Sequence, residues 1–115
     1  MDSNEHLDIT LLESYLDSLT VDIVQKMLEM YIQQSSIYLE EIASSITNQS
    51  QSDWQNSCHK MKGASASIGF LLVHKQLVTL EKSEEQWSVK NGLIAQLITL
   101  NEQAIKAFQK WLDTH

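Results

Sequence analysis

No proline interrupts this 115-residue chain, and glycine occurs only at positions 63, 69 and 92. A β-sandwich or barrel of this length turns every 8–12 residues or so and spends glycine and proline at those turns. The scarcity of breakers therefore excludes most all-β folds and favours helices. The hydrophobic pattern agrees, with apolar residues recurring at three- and four-residue spacings. It predicts a first helix from about Asp8 to Ser18, capped by Asp8, and a long second helix from about Thr20 to Thr47, capped by Thr20. A polar loop follows over Asn48–Ser52. A third helix is expected from about Asp53 to Ile68, stopped by Gly69, then a fourth from Leu71 to Ser83. Ser83 to Gln86 read as a connector, and a fifth helix runs from about Val89 to Asp113.

Each helix has one apolar stripe. The second carries Val24, Leu28, Tyr31, Leu39, Ile42 and Ile46, and the third Trp54, Cys58, Met61, Ser65 and Ile68. The fourth offers Phe70, Val73, Leu77 and Leu80, and the fifth Leu93, Leu97, Leu100, Ala104, Phe108 and Trp111. Short connections between such helices make antiparallel neighbours. The expected architecture is all-α: an antiparallel up-down four-helix bundle with a short N-terminal capping helix, residues 1–115 forming a single domain.

Charge narrows the function. Eight lysines, no arginine and fifteen acidic residues give a formal net charge of −7. A nucleic-acid binder needs a basic stripe to neutralise phosphates, and a helix docking on anionic lipid needs one too, so neither partner is expected. The lone cysteine, Cys58, can form neither an internal disulfide nor a zinc cluster. His6, His74 and His115 lack metal-ligand spacing, so no metal site is expected. The first residues carry no basic, apolar leader, and the longest apolar run, Phe70 to Val73, is far too short for a membrane span. A cytoplasmic protein is expected, and a monomer, since no long heptad seam demands a partner helix.

The third helix carries the chemistry. At about 100° per residue, its core stripe spans an arc of about 80°, and His59 lies well outside that arc. His59 therefore faces solvent or a groove. Lys62 and Gly63 follow at i+3 and i+4, on the same side. Glycine inside a helix costs roughly 1 kcal/mol against alanine. Helical side chains lean toward the N-terminus, so any side chain at 63 would lie across the His59 ring. Glycine leaves the ring open to a large partner, and Lys62 brings a cation beside it. That combination suits an imidazole that accepts and holds a phosphoryl group, with the lysine offsetting the added charge. A nucleophilic imidazole needs its second nitrogen protonated and fixed by an acceptor. Glu81, on the flank of the fourth helix, could supply one if helices three and four pack antiparallel.

The run His59-Lys60-Met61-Lys62-Gly63-Ala64-Ser65-Ala66-Ser67-Ile68-Gly69 resembles the signature of histidine-containing phosphotransfer (HPt) domains, roughly H-x-x-K-G-[AGS]-[AS]-x-x-x-G. Glu81 falls where that family commonly places a Glu or Gln bonded to the histidine ring. The opening Leu7 to Leu16 is similar to the first helix of the phosphotransfer domains of Arc-type anaerobic-response hybrid sensor kinases. The resemblance implies a phosphorelay intermediate, not an enzyme with its own ATP site. It would take a phosphoryl group on His59 from the aspartate of a hybrid sensor kinase's receiver domain and pass it to the aspartate of a response regulator. No cofactor of its own is implied, and the Mg²⁺ would sit on the receiver. The chain has no glycine-rich phosphate loop or kinase signature.

In the second helix Ile23, Met27 and Met30 form another apolar stripe, roughly 110° from the core stripe. Met-rich surfaces suit adaptable partners. With Leu11 and Tyr15 of the first helix, this stripe is the expected docking surface for the receiver. The alternative from another class is a helical adaptor that binds a partner through the same stripe and does no chemistry.

Overall fold

In a computed structural model of the chain, residues 5–115 are described. They form α1 (Ile9–Ser18), α2 (Val21–Thr47), α3 (Gln51–Ser67), α4 (Leu71–Glu81) and α5 (Trp87–Asp113). The first three starts are written in single side chains. Asp8, Thr20 and Ser50 each accept a hydrogen bond from the backbone N–H three residues on, at 3.2 Å in every case. Each bond satisfies one of the free donors at a helix N-terminus. The cap at Ser50 moves the start of α3 ahead of the expected Asp53. α4 ends at Glu81 rather than Ser83, and α5 begins at Trp87 rather than Val89.

α2 packs on α3 and α5, and α4 completes the ring by packing on α3 and α5. The α2–α5 pair runs antiparallel, because Gln25 meets Gln109 while Tyr31 meets Asn101. α1 lies across the end of the bundle where α3 turns into α4. There Leu7 and Phe70 form an isolated antiparallel bridge, with Asp8 N–H donating to the Gly69 carbonyl and Leu71 N–H to that of His6, both at 2.8 Å. Gly69 makes this turn possible. Its φ is +75°, and a Cβ there would stand 3.4 Å from both Asp8 and Leu12.

The core follows the predicted stripes closely in α3 and α4. Trp54, Cys58, Met61, Ser65, Phe70, Val73, Leu77 and Leu80 are all fully buried. In α5 the stripe is shifted. Lys90, Ile94, Leu97, Asn101, Ala104, Phe108 and Leu112 are buried, whereas the expected Leu93, Leu100 and Trp111 are only partly so. Two polar residues occupy core positions, so a reading of apolar spacing slides onto the flank. Asn101 is satisfied from α2: Tyr31 Oη donates to its Oδ1 at 2.6 Å, and its own amide donates to Ser35 Oγ at 3.2 Å. Burial raises the Tyr31 pKa, which keeps its hydroxyl a donor.

Lys90 is 1% exposed. Its ammonium lies 4.2 Å from the Trp87 ring centroid and 5.1 Å from that of Trp54. It donates to Gln51 Oε1 at 2.6 Å. A buried cation is tolerated when aromatic faces and a hydrogen bond replace its water. Gln51 passes the link on by donating to the Ser83 carbonyl at 3.0 Å, and Trp54 Nε1 donates to the Leu80 carbonyl at 2.7 Å. These bonds strap the last turn of α4 to the first turns of α3.

Candidate functional site

The strapped turn ends in Glu81, and Glu81 reaches across to α3. Its Oε2 lies 3.1 Å from His59 Nδ1, and its Oε1 lies 2.6 Å from Lys62 Nζ. One carboxylate thus joins the two α3 residues. The His59 side chain is 68% exposed, against 27% for Lys62 and 25% for Glu81. The imidazole therefore projects outward while its two partners lie lower, against the bundle.

Charge decides the proton positions. Lys62 foremost holds the Glu81 carboxyl below the usual carboxylate range; partial burial opposes the shift and the bond to His59 adds to it. An ionised carboxylate only accepts, so the neutral ring must carry its proton on Nδ1 and donate it to Glu81. The lone pair is then on Nε2, which has no hydrogen-bond partner among the described residues. The neighbouring thiol does not compete. Cys58 is fully buried in the core, and burial foremost pushes its pKa up to about 12.

Gly63 lies on the exposed surface of α3, one turn past His59. A Cβ built there meets nothing within 4 Å. The space above the ring is therefore open, and glycine is not demanded by any packing contact. Lys60 turns away from His59 toward α2, where it pairs with Glu41 at 3.7 Å, both side chains about half exposed. Such exposed pairs contribute little.

The predicted docking residues divide into three groups. Tyr15, Met27 and Met30 line a groove between α2 and α3 of about 460 Å³, floored by Tyr31, Ala64 and Ile68. Tyr15 Oη donates to the Ser67 carbonyl at 2.7 Å and fixes α1 over the end of this groove. Met30 is 69% exposed. Ala64 and Ser67 put the groove about 8–12 Å along the α3 axis from His59. Leu11 is half-buried against Gly69, outside the groove lining. Ile23 is exposed one turn before Met27, also outside it. Sequence reasoning missed Lys90, Gln51 and Trp54 as supports of the site. Only the isolated lysine within the α5 stripe signalled the first of them.

The Hpt domain family matches residues 26–108, a span that includes α3, α4, the histidine and both of its partners. The chain belongs to the Hpt family. It is a histidine-phosphotransfer protein of two-component signalling rather than an enzyme in the ordinary sense, a carrier of phosphohistidine in a relay. Its fold is similar to the histidine-containing phosphotransfer domain of ArcB from Escherichia coli, with a TM-score of 0.84 at 20% identity over 97% of each chain. It is likewise similar to histidine-containing phosphotransfer protein B (HptB) from Pseudomonas aeruginosa PAO1, with a TM-score of 0.81 at 19% identity over 96% of each chain. No curated protein matches the sequence significantly. At such identities the two structures speak for the Hpt fold, while the family match carries the function. Hpt domains interact with receiver domains. Among the described residues no helix is long and apolar enough to cross a membrane.

Proposed function

We propose that His59 is the phosphoryl acceptor, and that one Hpt domain filling the chain shuttles the group between two receiver aspartates in the cytoplasm. The Nε2 lone pair attacks the phosphorus of a receiver's aspartyl phosphate. The N–P bond forms as the P–O bond breaks, and the electron pair leaves with the aspartate carboxylate. The ring becomes a cation that keeps its Nδ1 proton on Glu81. In the onward step a second aspartate attacks phosphorus, the N–P electrons return to Nε2, and the ring is neutral again with no proton exchanged. In this reading Glu81 orients the imidazole, Gly63 clears the approach and Lys62 offsets the charge of the phosphoryl group.

The receiver supplies Mg²⁺, and the chain needs neither ATP nor a cofactor. A hybrid sensor kinase's receiver and a response regulator are the partners, and the protein acts as a monomer. The groove at Tyr15, Met27 and Met30, extended by Leu11 and Ile23, is where the receiver docks. One observation carries this reading: an exposed imidazole whose inner nitrogen is bonded to an ionised carboxylate and whose outer nitrogen has no partner among the described residues. The test is incubation with a phosphorylated receiver, looking for an acid-labile, base-stable label on the protein. His59→Gln should fold and take no label. If wild type takes no label from any receiver of its source, the chain acts as an adaptor binding through the groove; if the variant still takes the label, His59 is not the acceptor.

A further inference from the structure

Lys62 does not stand free beside the histidine. Its ammonium is 2.6 Å from Glu81 Oε1, whereas the ring is bonded to the other oxygen, Oε2, at 3.1 Å. The cation is thus paired with the carboxylate that faces Nδ1.

The consequence lies in how a glutamate is held. Its terminal torsion is a soft, roughly two-fold rotor. The entropy lost in pinning such a side chain is of the same order as the net worth of one charge-assisted hydrogen bond. A single bond to a mostly exposed imidazole would therefore leave the carboxylate loosely placed. Lys62 supplies a second contact, the 2.6 Å ion pair to Oε1. Backbone position is already fixed by Trp54 and Gln51, which hold the carbonyls of Leu80 and Ser83 on either side of Glu81. Scaffold and lysine together leave the carboxylate one orientation, with Oε2 on Nδ1. Among the described residues no other cationic side chain lies within 4.0 Å of the Glu81 carboxylate, and Lys60 is turned to Glu41 of α2.

We propose that Lys62 acts on His59 through Glu81, as a positioning residue that fixes the Nδ1–H tautomer, with the Nε2 lone pair outward, before any phosphoryl group or partner arrives. This role rests on His59 being the phosphoryl acceptor, yet the tautomer is readable in the unphosphorylated protein. The free histidine side chain prefers the opposite, Nε2–H form, so the held tautomer has a direct spectroscopic signature.

The experiment compares the ring nitrogens of His59 by ¹⁵N NMR at neutral to mildly alkaline pH in wild type, Lys62→Met, Lys62→Arg and Glu81→Ala. Wild type should show Nδ1–H dominant and Glu81→Ala should revert. In Lys62→Met the ratio of Nδ1–H to Nε2–H should fall by at least about threefold, and in Lys62→Arg, which keeps a donor for Oε1, it should recover. A ratio in Lys62→Met equal to wild type overturns the positioning role. Phosphotransfer from a receiver is followed in the same variants. Slowed transfer in Lys62→Met with an unchanged tautomer would mean that the lysine acts on the phosphoryl group directly, overturning this role while leaving the proposed function intact. A label retained in His59→Gln would remove the proposed function while leaving the tautomer result standing.

Discussion

Gly63 offers the sharpest separation of stability from function. The position is inside α3, is exposed, and among the described residues a Cβ there would meet no atom within 4 Å beyond the helix's own neighbouring backbone. Gly63→Ala should therefore stabilise the protein, by about 0.5–1 kcal/mol, because glycine gives up more backbone freedom than alanine on entering a helix. At roughly 4 °C per kcal/mol for a domain of this size, Tm should rise by about 2–4 °C. Gly63→Gln should be nearly as stable, since glutamine is a good helix former, but its side chain leans back over His59. A receiver must press that side chain aside, at about 1.5–2 kcal/mol of lost rotamer freedom. Each 1.4 kcal/mol or so is a factor of ten in rate, so transfer should slow by about 10- to 30-fold in the glutamine variant. Alanine, with no rotamers to lose, should transfer at close to the wild-type rate. Urea unfolding measures the first quantity, and rapid-quench transfer of labelled phosphate from a receiver measures the second. Destabilisation by alanine would show that the glycine meets a packing or backbone demand. Transfer by the glutamine variant within twofold of wild type would refute the steric reasoning altogether.

Three further predictions follow from the geometry. Lys90→Met keeps the aliphatic stem but removes two cation–π contacts and the bond to Gln51, offset by relief of the ammonium's burial; a net loss of about 1–3 kcal/mol is expected by urea unfolding, and a variant as stable as wild type would show that burying the charge costs as much as its contacts return. Glu81 titrates low in the folded protein, so its contribution to stability is complete above its unfolded pKa (about 4.3) and disappears as pH falls through the lower folded value. Carboxyl ¹³C NMR should find that folded midpoint below 4.3 or so, rising toward it in Lys62→Met, and a wild-type midpoint at or above the ordinary value would contradict the pairing. Met30→Asp should change stability by less than about 0.5 kcal/mol, because the side chain is 69% exposed, yet weaken receiver binding in titration calorimetry by about tenfold; unchanged affinity would place the footprint elsewhere.

The parts of the fold legible in the sequence are those set by local rules. Asp8 and Thr20 are helix caps by chemistry, and Gly69 ends α3 because its left-handed φ and the crowding from Asp8 and Leu12 exclude a Cβ. The α3 and α4 stripes were readable because apolar residues or small serines fill every core position. α5 was not, because Lys90 and Asn101 look like solvent residues until their partners on α2, α3 and the first turn of α5 are known. Spacing alone cannot announce a buried lysine, since its burial depends on Trp54 and Trp87, which are brought together only by the fold. At the site, the outward phase of His59 and the nearness of Glu81 were legible from helical geometry. That Glu81 also binds Lys62 was not, because both residues lean toward the same ring and phase cannot say which pairs with which.

The exposure of His59 also limits what this protein can do unaided. Electrostatic stabilisation of a transition state depends on a site that excludes water, and a ring that is 68% exposed does not exclude it. What the bundle can set in advance is the tautomer, the direction of the lone pair and an open approach. The rest of the stabilisation must come from the partner once it has covered the ring. On that division of labour, a phosphoryl group on His59 should wait in water for a receiver, and the choice of receiver falls to the surface that seats it. On the docking proposed above, specificity would be set at the apolar groove about two turns along α3, with the histidine the same chemical handle for every partner that fits.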